Sequence, residues 1–287
     1  MNILSATYGG VDCLHIVRSK VKGNRLILMS NNDIIGDPSP GNRKSLVIRF
    51  DTETVSVEEG NLLVYPPSNN DRLGVFYSNN VNPQINNAIV ASLKSIEKAA
   101  AGKADILTCM WRHEPENPFP EYIAWTQTFA HLNQLLQVMQ LLYVARNINN
   151  YKYVSFLEHD VLYPEGYFDY PDVKEGEVIT NMNYMGICKN GFQGVPTKHE
   201  PFHQMTMRFD EAIAHCESIL ANALVNNSGL IEPQVGNIIR SKWECANPSV
   251  HINHGHHFTS HYNIYSSTDL RQTNPYWGNH DKYMQLF

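Results

Sequence analysis

The sequence predicts an α/β protein whose mostly parallel sheet has helices on both faces and follows a small β-rich domain. After residue 72, short apolar strands alternate with helical stretches, the pattern of a doubly wound sheet. Before residue 67, short β-type runs are separated by turn residues instead. A polar stretch that begins with proline separates the two patterns. We therefore predict a β-rich domain over 1–66, a linker over 67–72 and an α/β domain over 73–287.

Four strands and one helix are predicted in the first domain. The strands are 2–8, Arg25–Met29, Ser45–Phe50 and Leu62–Tyr65, and the helix is 11–21. Gly, Pro, Asn and Asp lie between these runs, and they adopt turn dihedrals that β-branched residues avoid.

The second domain is predicted to begin with three strands and two helices. The strands are 73–77, 105–110 and 153–157, and the helices are 82–101 and 125–147. Apolar residues at spacings of three and four mark the first helix, namely Ile85, Ile89, Leu93 and Ile96. Strands and helices in this order place the carboxyl ends of the strands at one edge of the sheet, where ligands bind.

Composition excludes several classes of protein. Lys and Arg number 22 against 28 Asp and Glu, so the net charge is −6, which excludes a strongly basic DNA-coating protein but leaves a local basic groove open. Five cysteines without a CxxC pair indicate reduced thiols rather than a disulfide framework. No apolar run reaches the roughly 18 residues of a membrane span. The sequence therefore predicts a soluble, cytoplasmic protein.

The strand 153–157 leads directly into Glu158-His159-Asp160. If the chain stays extended, the two carboxylates share one face of the strand. Such a pair can hold a hard divalent cation, which in turn neutralises a diphosphate. The alternative is that the acids only end the strand and cap the next turn.

Five histidines lie within eleven residues near the end of the chain: His251, His254, His256, His257 and His261. Neutral imidazole is a common metal ligand, and one of the five is a candidate for that role. The alternative is a hydrogen-bonding loop or an adventitious metal-binding tract.

Aromatic and amide side chains follow the first two strands of the second domain. Tyr77, Asn79 and Trp111 lie where a base and ribose would bind in an open α/β sheet, although core packing also explains each aromatic residue. We assign His131, on the helix 125–147, to the same binding set. No GxGxxG, GxxxxGK[ST], GxSxG or HExxH motif occurs, which argues against dinucleotide redox chemistry and P-loop phosphoryl transfer.

From residue 73 to 287 the chain resembles GT-A-type glycosyltransferases, in particular bacterial and phage proteins that contain the core EHDVLYP, here 158–164. The resemblance implies that Glu158-His159-Asp160 is a variant of the D-x-D metal motif. It also implies that Asp160 and His254 bind Mn²⁺ or Mg²⁺, that Glu158 and the nucleotide-binding set bind a UDP sugar, and that the protein works in the cytoplasm, the host's if it is phage-encoded.

Residues 1–66 separately resemble a small β-domain found at the C-terminus of certain DnaJ-like proteins. The matching stretches are 5–9, 36–41 and 44–48. This resemblance implies a β fold and a targeting or acceptor-binding role.

The predicted function is metal-dependent transfer of a sugar from a nucleotide-diphospho sugar to a hydroxyl acceptor, either a glycan or a hydroxymethylated DNA base. An inverting enzyme also needs a carboxylate base, for which Asp210 and Glu211, just before a predicted helix 212–224, are candidates. Both could instead be acids that stabilise the helix N-terminus. The alternative functions are a non-catalytic sugar or partner binder and a metal-dependent hydrolase.

Overall fold

The computed structural model describes residues 1–78, 85–124, 130–194, 200–226, 239–252 and 270–287. The chain forms two units. Unit 1 contains Met1–Asn69, Pro118–Pro120 and Asn147–Asn149, and unit 2 contains Asn70–Asn117, Glu121–Arg146 and Asn150–Phe287.

Unit 1 consists of two antiparallel sheets and one short helix. Its elements are β1 (Ile3–Tyr8), β2 (Val11–Asp12), α1 (Leu14–Ser19), β3 (Val21–Lys22), β4 (Arg25–Met29), β5 (Ser45–Phe50), β6 (Thr54–Glu58) and β7 (Leu62–Tyr65). One sheet has the order β2-β1-β5-β6 and the other β3-β4-β7. Their buried residues, among them Tyr8, Val17, Leu26, Ile48 and Phe50, form one hydrophobic core, which stabilises the unit by removing apolar surface from water.

The predicted helix 11–21 is wrong at both ends, and β6 was not predicted. Only Leu14–Ser19 is helical, while the flanking residues form β2 and β3. Two tight hairpins explain the difference. Gly9 and Gly10 have positive φ angles of 57° and 85°, and Gly23 and Asn24 have 52° and 59°. Such residue pairs match the twist of two-residue hairpins, so the chain folds back on β1 and into β4 instead of continuing as a helix.

A buried lysine joins three segments of unit 1. Lys44 Nζ lies 3.0 Å from Asp37 Oδ1 and 3.3 Å from Glu59 Oε1, with the lysine side chain only 4% exposed. The Tyr8 hydroxyl oxygen lies 3.0 Å from both Glu59 Oε1 and Asn32 Oδ1, either of which can accept its hydrogen bond. The hydrogen bond and charge of Lys44 lower the pKa of Asp37 from 3.8. Burial alone would raise the pKa of Glu59 from 4.5, but hydrogen bonds from Tyr8 and Lys44 outweigh it and lower that pKa too.

Lys44→Met is expected to destabilise unit 1 at pH 7, and the difference from wild type should shrink in acid. The carboxyl pKa values of Asp37 and Glu59 are lower in the folded protein than in the unfolded chain. The ion pairs with Lys44 therefore stabilise the fold fully above the unfolded pKa values, and this stabilisation is lost as the pH falls below about 4, through the folded pKa values. Thermal unfolding at pH 7 and pH 3 measures the change, with Arg43→Met as the control, since Arg43 is 87% exposed. Equal destabilisation at both pH values would show that the ion pairs contribute nothing.

Unit 2 is a mixed α/β fold. Its elements are β8 (Arg72–Ser78), α2 (Asn86–Ala100), β9 (Asp105–Met110), β10 (Glu121–Ile123), α3 (Ala130–Ala145), β11 (Tyr153–Glu158), β12 (Val161–Leu162), β13 (Glu177–Asn181), β14 (Tyr184–Cys188), β15 (Gly191–Gln193), a 3-10 turn (Phe202–Gln204), β16 (Met205–Arg208), α4 (Phe209–Asn226), β17 (Ile239–Trp243), β18 (Ser249–Ile252), β19 (Leu270–Arg271), β20 (Thr273–Asn274), β21 (Gly278–Asn279) and a 3-10 helix (His280–Leu286).

The main sheet of unit 2 has seven strands in the order β10-β9-β8-β11-β16-β13-β17. β16 is antiparallel to both of its neighbours, β11 and β13, and all the other neighbouring strands are parallel to each other. The predicted mostly parallel α/β sheet is therefore confirmed. A second, five-stranded sheet, β12-β18-β14-β15-β19, was not predicted from the sequence.

The main sheet is buried because apolar residues cover both faces. Every residue of β9 is buried, as are six of the seven residues of β8, as expected for parallel strands packed between helices. The predicted apolar row of α2 is confirmed, since Ile85, Ile89, Leu93 and Ile96 are at most 4% exposed. Among the described residues, no helix is long and apolar enough to cross a membrane.

Proteolysis is expected to cut the full chain between residues 66 and 69 and to leave a folded C-terminal fragment, which still contains Pro118–Pro120 and Asn147–Asn149 of unit 1. Residues after this point are held in unit 2, because the carbonyl oxygen of Asp71 accepts from the amides of Lys152 and Tyr153 at 2.8 and 3.1 Å. The Arg72 guanidinium also lies 4.8 Å from the centre of the Tyr170 ring. Mass spectrometry of the limited digest locates the cut. An insoluble fragment would show that the predicted domains 1–66 and 73–287 share a core.

Candidate functional site

The carboxyl ends of β8, β9 and β11 meet at one edge of the main sheet. Glu158, the last residue of β11, lies beside Tyr77 of β8, and Tyr77 lies beside Cys109 of β9. The chain continues from β8 to β9 on one side and reaches β11 on the other. The crevice between β8 and β11 is thus the point where strand order reverses, which is where ligands bind in open α/β sheets.

The chain does not stay extended through Glu158-His159-Asp160, so the condition for the two carboxylates to share one face of the strand is not met. The strand ends at Glu158 and the chain turns at His159 and Asp160. Ser92 of α2 holds this turn, because its hydroxyl lies 3.1 and 2.7 Å from the carbonyl oxygens of Glu158 and Val161. The turn directs the Asp160 side chain towards β18, which pairs with β12.

Asp160 is buried against His251 of β18. Its Oδ2 lies 3.2 Å from His251 Nε2, and the Asp160 side chain is 5% exposed. The Asp160 carbonyl oxygen also accepts from the amide of Ile252 at 2.7 Å. Burial lowers the pKa of His251, but the carboxylates of Asp160 and Glu158 outweigh it, so the net shift is upward from 6.5. The pair is therefore held by both backbone pairing and charge.

Glu158 is paired with His203 in the same way. Its Oε2 lies 3.1 Å from His203 Nδ1, and Gln134 of α3 donates to Oε1 at 3.3 Å. The rings of His203 and His251 stack with their centroids 5.4 Å apart and an interplanar angle of 28°. Two carboxylate–imidazole pairs therefore lie side by side at the carboxyl edge. We call Glu158, Asp160, His203 and His251 the acid–histidine cluster.

Two buried tyrosines fix the backbone of His203. The hydroxyls of Tyr163 and Tyr167 donate to its carbonyl oxygen at 3.3 and 3.2 Å. Burial raises the pKa of both tyrosines well above 10, so they remain protonated donors. The amide of Glu158 in turn donates to the hydroxyl oxygen of Tyr163 at 2.9 Å. Tyr163 therefore makes hydrogen bonds to the backbone of both Glu158 and His203.

A row of glutamines on α3 holds the ends of three strands. Gln134 donates to Glu158, Gln137 donates to the carbonyl oxygen of Ser78 at 3.0 Å, and Gln140 donates to that of Ile123 at 3.0 Å. Their spacing of three places them on one face of the helix. Gln137 and Gln140 are buried, and this amide row was not predicted from the sequence. It forms because strand-end carbonyls need donors when they are buried.

The predicted nucleotide-binding residues are placed differently from one another. Tyr77 is 2% exposed, with its ring centroid 6.2 Å from that of Phe202. Trp111 is half-buried directly after β9. Asn79 and His254 lie outside the described residues, and His131 lies on α3 with its side chain outside them. The structure therefore brings Glu158, Asp160, Tyr77 and Trp111 to one edge of the sheet.

Asp210 and Glu211 are not brought to this edge. They lie in the first turn of α4, which directly follows β16, and Arg208 at the end of β16 pairs with Tyr153 at the start of β11. Five residues of extended chain, roughly 16 Å, separate this edge from Glu158. The position of Asp210 and Glu211 in the first turn of α4 is consistent with the helix-end role that the sequence left open, and Glu211 also accepts from the amide of Gly176 at 3.1 and 3.2 Å.

The acid–histidine cluster fits a divalent cation by the chemistry of its donors. Carboxylate oxygen and imidazole nitrogen both ligate Mn²⁺, and Mg²⁺ or Mn²⁺ commonly keeps water and phosphate as its other ligands. His203 Nε2 is buried and has no hydrogen-bond partner in the part of the chain that the structure describes. Within those same ranges, no three His, Cys, Asp or Glu side chains converge closely enough to hold a metal ion by themselves.

His203 and His251 were not predicted as site residues. His251 belongs to the histidine-rich stretch, where His254 was favoured instead. His203 lies 45 residues from Glu158 in the chain, in a short 3-10 turn with no periodic pattern. Its one local signal is the neighbouring Phe202, whose ring stacks on Phe156 of β11 with centroids 4.1 Å apart.

Comparison with known proteins gives likeness at the level of the fold. No family model matches the sequence, and no curated protein matches it. A protein from Desulfovibrio desulfuricans G20, provisionally described as a nucleotide-diphospho-sugar transferase, aligns with a TM-score of 0.39 and 10% identity, over 64% of this chain and 83% of its own.

The galactosyltransferase LgtC, in complex with donor and acceptor sugar analogues, aligns with a TM-score of 0.36 and 9% identity, over 59% of this chain and 72% of its own. An active-site mutant of LgtC aligns with a TM-score of 0.34 and 11% identity, over 58% of this chain and 72% of its own. At such scores and identities we take no activity from these proteins, and the resemblances to the EHDVLYP group and to DnaJ-like proteins stay predictions.

Proposed function

We propose that this chain is a metal-dependent glycosyltransferase that moves a sugar from a nucleotide-diphospho sugar, a UDP sugar, to a hydroxyl acceptor. The observation behind the proposal is the position of the acid–histidine cluster, at the carboxyl edge of the sheet where strand order reverses. Ligand sites in open α/β sheets lie at this point, and the EHDVLYP resemblance falls on the same residues.

The charge of the cluster favours metal dependence. Two carboxylates, Glu158 and Asp160, belong to the edge where a diphosphate would bind. A carboxylate and a diphosphate repel each other, most strongly in a partly buried site, so a diphosphate needs a cation between it and the acids. Asp160 and His254 would hold Mn²⁺ or Mg²⁺ there, and the cation would neutralise charge on the departing nucleoside diphosphate.

The chain's own residues bind and orient the donor in this proposal. Tyr77, Asn79, Trp111 and His131 would lie on the nucleotide side, and Glu158 next to the diphosphate. Gln134 and Gln137 hold two of the strand ends that bear these groups. Groups held in place in this way lower the activation barrier of sugar transfer because they position the donor. Positioning is the main requirement of a reaction with an oxocarbenium-like transition state.

Either a glycan or a hydroxymethylated DNA base can supply the acceptor hydroxyl. The net charge of −6 favours a glycan, because DNA binding draws on basic surface. A DNA base would also have to leave the stack.

Incubated with Mn²⁺ and a panel of UDP sugars, the protein is expected to release UDP slowly from one of them without acceptor. Water can occupy an unfilled acceptor site and react at the activated sugar. The right acceptor should accelerate release and yield a glycosylated product, and EDTA should stop both. Glycans are tested first and hydroxymethylated DNA second, at several salt concentrations, since phosphate contacts make DNA binding salt-dependent. Folded, metal-binding protein that releases UDP from no sugar would instead indicate a non-catalytic binder.

A further inference from the structure

His203 is the buried member of the acid–histidine cluster to which the proposed function gives no role. The residue is 8% exposed. One ring nitrogen, Nδ1, lies 3.1 Å from Glu158 Oε2, while the other, Nε2, is buried and has no hydrogen-bond partner within the described ranges. A buried polar atom without a partner is costly. The ring is therefore held in a position that leaves one nitrogen available to a ligand.

The pairing with Glu158 determines which nitrogen can bind a cation. A carboxylate only accepts hydrogen bonds, so Nδ1 is the protonated nitrogen that donates to Glu158. In the neutral ring the lone pair is then on Nε2. Histidines that bind metals in proteins almost always donate the other ring N–H to a carboxylate, carbonyl or water in this way.

Three contacts fix the His203 ring before any ligand is present. Glu158 holds Nδ1, the ring stacks on His251, and the hydroxyls of Tyr163 and Tyr167 hold the backbone carbonyl. His251 is itself bound to Asp160. The unpartnered nitrogen therefore lies in the same cluster as the carboxylate already assigned to the cation.

We propose that His203 Nε2 is a ligand of the divalent cation in this site, and that Glu158 orients the His203 ring rather than binding the cation itself. This inference rests on the metal dependence in the proposed function and refines its ligand set. It adds one neutral nitrogen ligand to the ligands already proposed, of which Asp160 is the anionic one. A nitrogen ligand strengthens Co²⁺ binding more than Mg²⁺ binding, because imidazole suits the later transition metals.

Two substitutions separate the roles of His203 and Glu158. His203→Asn keeps an amide N–H close to the position of Nδ1, which can still donate to Glu158, but removes Nε2. Glu158→Gln keeps an oxygen that accepts from Nδ1 but removes the charge. Calorimetric titration of the full chain with Co²⁺, Mn²⁺ and Mg²⁺, with UDP present, measures both variants against wild type and Asp160→Asn.

We expect His203→Asn to weaken Co²⁺ binding at least about 100-fold, since loss of a direct ligand costs more than the 10- to 100-fold typical of second-shell changes, and to affect Mg²⁺ less. Glu158→Gln should keep Co²⁺ affinity within about tenfold, because second-shell hydrogen bonding is retained. Thermal unfolding checks that each variant is folded. His203→Phe, which fills the space of the ring but has no nitrogen, replaces His203→Asn if the latter does not fold.

Unchanged Co²⁺ affinity in His203→Asn would overturn this inference and leave the proposed function standing. The inference would also fail if Glu158→Gln lost as much affinity as Asp160→Asn, since Glu158 would then be a direct ligand. Wild-type protein that binds none of the three cations would refute the metal dependence itself, a result distinct from the other two.

Discussion

Asp160→Asn is expected to abolish Mn²⁺-dependent UDP binding and to leave the fold intact. Asparagine has the shape of aspartate, and its side-chain oxygen can still accept from His251 Nε2. The substitution removes the negative charge that would hold the cation in the proposed site. We expect Mn²⁺ affinity to fall at least about 100-fold, since loss of a direct ligand costs more than the 10- to 100-fold typical of second-shell changes. Turnover should fall about 1,000-fold, equivalent to roughly 4 kcal/mol.

Calorimetry with UDP and Mn²⁺ measures the binding loss, and UDP release measures turnover. Asp169→Asn is the matched control, because it makes the same chemical change at a 57% exposed side chain that pairs with Lys103 on the surface of unit 2. The control should bind and react like wild type. Equal UDP affinity in Asp160→Asn and wild type would exclude Asp160 from the metal site.

Three of the parallel strands, β8, β9 and β11, could be predicted from the sequence because each is a short, nearly continuous apolar run. Asp105–Met110 has the predicted bounds, and β11 ends one residue beyond its prediction, at Glu158. Burial on both faces makes such runs apolar throughout, so their position needs no knowledge of the rest of the chain. The hairpins around Gly9 and Gly23 did carry a local signal in their turn residues, which the helical interpretation of 11–21 overlooked.

The edge of the sheet at which Asp210 and Glu211 lie could not be predicted, because an apolar run does not show whether its strand is parallel or antiparallel to its neighbours. A fully parallel sheet would end every strand at the same edge. β16 is antiparallel to β11, so the helix that follows it begins at the other edge. Direction depends on how the chain returns to the sheet, here through the five-stranded second sheet, and residues far apart in the sequence determine that path.

Two of the four residues of the acid–histidine cluster could be predicted from the sequence. Glu158 and Asp160 follow a recognisable strand, whereas His203 and His251 reach them from 45 and 91 residues away. The glutamines of α3 escaped prediction for a different reason. Polar residues on a helix normally face solvent, and only the strand ends that they contact make burial of Gln137 and Gln140 favourable.

Gly74→Ala is expected to destabilise unit 2, although alanine normally stabilises a strand relative to glycine. Gly74 lies in the middle of β8, between Ile106 of β9 and Ser155 of β11. An added Cβ would lie 2.5 Å from Ile106 Cδ1 and 2.8 Å from Leu157 Cδ1. Both neighbours are buried, at 4% and 0% exposure, so the close-packed core cannot yield freely. We expect a loss of about 1–3 kcal/mol from overpacking, only partly offset by the roughly 0.5–1 kcal/mol that alanine gains over glycine.

A double-mutant cycle with Ile106→Val tests this explanation. Valine lacks the Cδ1 methyl group that the new Cβ would meet. The loss of unfolding free energy in the double variant should therefore be smaller than the sum of the two single losses, by about 0.5–2 kcal/mol. Urea unfolding of all four proteins gives the coupling energy. Because Leu157 precedes Glu158 directly, Gly74→Ala should also weaken Mn²⁺-dependent UDP binding, and Ile106→Val should restore part of it. Additive stabilities would mean that Ile106 does not limit the space at Gly74, and that the second close contact, with Leu157, carries the strain instead.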